Sequence, residues 1–131
     1  MYANGQGVAK DETEAGKWYR LAADQGRSDA HYQLGHLFYQ QDSYAEALKW
    51  FLLAAEQGRP DAQSNLGVMY AEGQGVARNE IEALMWFILA AEQNNKDAIE
   101  NRDNAVSTMS AAQIAAAKQL ARDWKRTTRP R

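Results

Sequence analysis

Residues 47–58 read ALKWFLLAAEQG, and close copies flank them: AGKWYRLAADQG at 15–26 and ALMWFILAAEQN at 83–94. Trp18, Trp50 and Trp86 thus recur at intervals of 32 and then 36 residues. A period in this range belongs to stacked supersecondary units, each burying its apolar face against the next, rather than to a domain built around one central core. Each tryptophan is followed four residues later by an alanine (Ala22, Ala54, Ala90), so a large and a small residue share one helix face. The three tryptophans are therefore expected in the core, where a Trp burying about 150–250 Å² contributes roughly 4–6 kcal/mol before entropy.

Each copy opens on a capping-box pattern: Asp11 with Glu14, Ser43 with Glu46, Asn79 with Glu82. Each closes on Gly26, Gly58 or Asn94, residue types that tolerate a left-handed helix stop. A second set of helix-start signals, Asp29, Asp61 and Asp97, opens the helix that precedes the next copy. Two helices, A and B, alternate, so the chain is expected to be all-α. Helix A of the second unit should span roughly 30–40 and that of the third roughly 62–72. The first carries Ala30, Leu34, Leu37 and Phe38 where the second carries Ala62, Leu66, Met69 and Tyr70. These positions make one apolar stripe at helical period. Gly35 and Gly67 sit beside it, where the lack of a side chain would admit helix B closely.

The A-to-B connection of the third unit, GQGVARN at 73–79, repeats GQGVAKD at 5–11, whereas the second unit is shorter and turns through Gln41, Asp42 and Ser43. Gly-x-Gly suggests a phosphate loop only after a strand and with further glycines or Gly-Lys-Ser/Thr; both are missing, so a turn is expected.

Ala62, Leu66, Gly67, Tyr70, Gly73, Gly75, Val76, Glu82, Ala83, Trp86, Phe87, Ala90 and Ala91 together resemble a complete Sel-one-like repeat, a relative of the tetratricopeptide repeats. The resemblance covers about residues 2–98. It implies an α-solenoid of helix-turn-helix repeats in a right-handed superhelix, acting as a non-enzymatic adaptor or scaffold, often in bacterial envelope, secretion or signalling assemblies. The organisation read from the repeats is an array over 1–106, with a partial first repeat at 1–28, a shortened second at 29–60, a third at 61–96 and a degenerate helix A at 97–106. There Arg102 and Asp103 replace the leucine and glycine of the pattern. A capping helix follows at 107–125, opened by Ser110 and Gln113 with Met109 and Ile114 as a hydrophobic staple, and Ile114, Ala117, Ala121 and Trp124 share its inner face. Residues 126–131 are expected to be a disordered basic tail.

Helix B of the first repeat has no helix A within the chain to cover it. A fragment of a longer protein accounts for this best; pairing into a homodimer and a frayed first repeat are the alternatives.

Composition excludes several kinds of chemistry. With no cysteine there is no disulfide framework or thiolate site, and the two histidines, His31 and His36, lie five residues apart on one helix, about 140° around its axis. No metal, cofactor, small-molecule substrate or catalytic residue is expected. No apolar run is long enough for a membrane span, and no signal peptide follows Met1; both the bacterial cytoplasm and the periplasm suit the chain. Residues 1–117 hold nine Lys and Arg against sixteen Asp and Glu, a balance of −7, while 118–131 carry +5. Six cations make a thin footprint for nucleic acid, which is not expected as a partner.

The expected binding surface is the side of helix A opposite its stripe. At 100° per residue, Tyr32, His36 and Tyr39 fall in one outward arc with Gln33 at its margin. Ser64, Asn65, Val68 and Glu72 are the candidates in the third repeat. The corresponding side of tetratricopeptide-like helices lines a concave groove, so the resemblance points to the same residues as contacts for a protein or extended peptide. The competing role for Tyr32 and Tyr39 is packing against the next repeat. The competing function is a structural or oligomerising segment that uses the open first repeat.

Overall fold

The computed structural model describes residues 27–128, which fold as six helices: α1 Ser28–Gln40, α2 Tyr44–Glu56, α3 Pro60–Glu72, α4 Glu80–Ala91, α5 Lys96–Val106 and α6 Ala111–Thr128. The first five alternate as A, B, A, B, A. Each packs on the next, and α6 returns to lie against α4 rather than α5. The expectations on Asp11, Glu14, Trp18, Ala22, Gly26 and the open first repeat fall outside the described residues.

The apolar stripes form the core. Ala30, Leu34, Ala62, Leu66 and Met69 are buried, as are Ala54 and Ala90 below their tryptophans. Trp86 is 3% exposed, whereas Trp50 is only half-buried, against Ala30 and Leu34 with the His31 ring 5.8 Å away. Both glycines beside the stripes admit an aromatic ring from helix B: a Cβ on Gly35 would fall 2.6 Å from Cδ1 of Phe51.

Helix starts depart from the expected pattern. The N-caps of α1, α3 and α5 are Arg27, Arg59 and Asn95, so Asp29, Asp61 and Asp97 lie inside the first turn instead. There Asp29 and Asp61 pair with the preceding arginines at 2.9 and 2.8 Å and place negative charge at the positive end of the helix dipole, where it is favourable. The side chain of Asn95 does accept from the Ala98 amide at 2.9 Å.

The capping boxes of the B helices do not form, for a shared reason. The amide of Ser43 donates to the Phe38 carbonyl, and that of Asn79 to the equivalent Tyr70 carbonyl, each at 2.9 Å. With that amide satisfied by helix A, Glu46 and Glu82 have nothing to reach back to. Asn79 keeps half of the motif, its Oδ1 accepting from the Glu82 amide at 3.0 Å, while the Ser43 side chain makes no capping bond. At Ser110 no such carbonyl is used, and the box closes reciprocally with Gln113, at 2.9 and 3.1 Å.

Gly58 and Asn94 hold the left-handed conformations expected of them, with φ of 91° and 67°, and Asp42 makes the tight second turn at φ 59°. Gly75 in the 73–79 turn has φ 74°, and a Cβ there would meet the carbonyl carbon of Tyr44 at 2.6 Å. The second glycine serves close approach to the start of α2.

In α6, Ala117 and Ala121 are buried and Trp124 meets Trp86 edge to face, with centroids 5.8 Å apart. The helix continues to Thr128, beyond the point where a disordered tail was expected. Its basic end is engaged: Lys125 Nζ donates to Glu92 at 3.0 Å, and Arg126 pairs with Asp123 at 3.2 Å.

Candidate functional site: a two-chambered groove along the A helices

The A helices α1, α3 and α5 flank two consecutive cavities. The first, of about 190 Å³, is lined by Tyr32, His36 and Tyr39 of α1, Asn65 and Val68 of α3, and Phe51 of α2. The second, of about 260 Å³, lies between α3 and α5; Val68 and Glu72 form one wall, Asn101 and Asn104 the other, and Phe87 of α4 contributes to the floor. Phe51 and Phe87 occupy equivalent positions, 36 residues apart, each following its repeat tryptophan. Val68 is common to both chambers.

The glycine pattern sets this floor. Phe51 and Phe87 reach beneath the A helices only because Gly35 and Gly67 leave them room.

The walls of the first chamber are held by its own floor and by residues outside it. The guanidinium of Arg59 lies over the Tyr32 ring, 4.9 Å from its centroid, and Phe51 meets the same ring at 5.6 Å. His36 is exposed and nearly parallel to Tyr32, at 6.3 Å. Tyr39 donates its hydroxyl to Gln74 Oε1 at 2.9 Å, tying the second repeat to the loop of the third, and packs edge to face on Tyr44. Tyr32 and Tyr39 are therefore half-buried: each packs against the core on one side and lines the cavity on the other.

Six of the eight expected residues line the chambers: Tyr32, His36, Tyr39, Asn65, Val68 and Glu72. Gln33 is exposed and lines neither. Ser64 is buried and lines neither cavity. The sequence reading missed the α5 wall. Asn101 and Asn104 stand 36 residues after Asn65 and Val68, so the same period marks them. Also missed was Gln63, fully buried, whose Nε2 donates to the Ala55 carbonyl at 3.2 Å while its Oε1 accepts from Gln93 at 3.1 Å.

Electrostatically the second chamber leans acidic. Arg78 pairs with Glu80 at 3.4 Å, and Glu72 has no ion pair among the described residues. Burial raises the carboxyl of Glu82 on α4 above its ordinary value, and burial together with the Glu82 charge raises the phenol of Tyr70. No group of three or more His, Asp or Glu side chains able to hold a metal ion occurs among the described residues. No helix among them is long and apolar enough to cross a membrane.

The Sel1 repeat family matches three segments, residues 1–26, 28–58 and 60–95. Two solved structures are similar. One is a protective antigen present in uropathogenic Escherichia coli strains and displaying an SLR fold, with a TM-score of 0.80 and 32% identity over 85% of this chain and 25% of that one. The other is a Sel1 repeat protein from Oxalobacter formigenes, with a TM-score of 0.56 and 30% identity over 72% of this chain and 43% of that one. The chain thus spans a quarter of the first and less than half of the second. No curated protein matches it. Repeats of this kind generally mediate protein–protein interaction and are typically non-enzymatic scaffolds. Three matched segments, the alternating helices and the likeness to both structures agree: the chain belongs to the Sel1 repeat family.

Proposed function

We propose that the chain binds another protein by accepting an extended segment of it in the groove along α1, α3 and α5. The observation that carries this reading is the pair of consecutive chambers, walled jointly by Val68 and floored by the equivalent Phe51 and Phe87. A protein surface seldom keeps adjoining apolar depressions rimmed by polar groups without a partner. Tyr32, His36, Tyr39, Asn65, Val68 and Glu72 supply contacts from the sequence-based set, and Asn101 and Asn104 extend them across the second chamber. Aromatic walls already fixed by Arg59 and Gln74 lose little side-chain entropy on binding.

Site-specific photocrosslinking in cells tests this. A photoreactive residue at His36 or Asn104 should give discrete adducts with another protein, and one at Lys49 on α2 should not. Adducts at Lys49 alone would place the interface on the B helices and overturn the groove reading.

A further inference from the structure

The groove reading leaves the occupant's conformation and chemistry open, and the lining residues narrow both. The two chambers lie on either flank of α3, which puts them about one helix diameter apart, roughly 10 Å. A β-strand fits that interval poorly. At about 3.3 Å per residue, three residues cover the distance, but the first and fourth side chains then point to opposite sides. A polyproline II segment has three residues per turn and rises about 3.1 Å for each, so its side chains at i and i+3 lie about 9 Å apart on one face. Such a segment also leaves its carbonyls without internal partners. Asn65 and Asn101, at equivalent positions in successive repeats, are half-buried, and neither side-chain amide bonds to another described residue. One stands in each chamber, so the groove offers a free amide donor to such carbonyls in both. Glu72, exposed at the rim and without an ion pair among the described residues, offers a place for a cation from the occupant.

Resting on the groove reading, we infer that the occupant is a proline-rich segment of a partner protein in the polyproline II conformation. It places proline or another apolar residue at i and i+3 in the two chambers, with a Lys or Arg opposite Glu72. The aromatic walls of the first chamber suit the flat face of a proline ring, as aromatic grooves do elsewhere.

The test is selection of a random displayed dodecapeptide library on the full chain, with counter-selection on the variant carrying Tyr32→Ala, His36→Ala and Tyr39→Ala together, which should be shown to keep its helical spectrum. The expected winners carry Pro or apolar residues at i and i+3 next to a basic residue. Moving the second of these to i+2 should weaken a synthetic winner at least about tenfold, and Glu72→Gln about fivefold with loss of the preference for Lys or Arg. Winners that need the groove but follow a helical spacing, or lack the basic residue, would overturn this inference and leave the groove reading standing. Enrichment indifferent to the triple variant, or none at all, would overturn both.

Discussion

The ring of Phe87 occupies the space that a side chain on Gly67 would need: a Cβ there would lie 2.3 Å from its Cε1. One glycine thereby sets both the packing of α3 on α4 and the depth of the second chamber. Gly67→Ala should destabilise the chain by about 1–3 kcal/mol, because overpacking outweighs the helix-propensity gain of about 1 kcal/mol. Urea denaturation measures it. Phe87→Leu should cost less in the Gly67→Ala background than in the parent, the coupling expected of residues in contact; strict additivity would refute the assignment.

The repeat tryptophans should not be equivalent. Trp86 is 3% exposed and meets the Trp124 ring edge to face, so Trp86→Ala should cost about 3–5 kcal/mol and release α6. Half-buried Trp50 should cost less. Thermal melts of the two variants side by side check the order, and equal losses would contradict it.

Capping offers a sharper contrast. Ser110→Ala removes a bond that the Gln113 amide makes and should cost about 1 kcal/mol, whereas Ser43→Ala removes no capping bond and should stay within about 0.5 kcal/mol. Chemical denaturation resolves a difference of that size.

Glu82 gives stability a pH dependence of known sign. Its folded-state pKa is raised by burial above the ordinary value, so between the two the folded chain holds more proton than the unfolded one. Its contribution therefore improves as pH falls from neutral through the folded pKa towards the ordinary carboxylate value. Glu82→Gln should match or exceed the parent at pH 7, and its advantage should shrink on acidification, as denaturation curves at a series of pH values would record.

Much of the architecture was legible because a repeat states its own register. Once the three tryptophans align, Leu34 and Leu66 fall on one buried stripe, and Gly35 and Gly67 fall where helix B must approach. What escaped depended on contacts between elements. The capping boxes at Ser43 and Asn79 look complete in sequence, but their amides are claimed by carbonyls of the preceding helix, which no local pattern reveals. Gln63 and Gln93 are 30 residues apart and meet only through the fold. The α5 wall was missed for another reason. Arg102 stands where the pattern requires a core leucine, and the decay of the inner face hid the outer one, although Asn101 and Asn104 keep the period. A helix can lose its core-facing positions while the opposite side continues the groove.

That loss also sets how α5 moves. Ala98 is its one buried residue, and α6, by lying on α4, gives it no comparable support. The far wall of the second chamber is thus the helix with the fewest apolar anchors, and its amides should exchange with solvent well before those of α3 and α4. The groove has a fixed jaw and a loose one. A guest entering the second chamber would tighten the loose jaw, so part of the interaction energy would be spent ordering α5 rather than appearing as affinity.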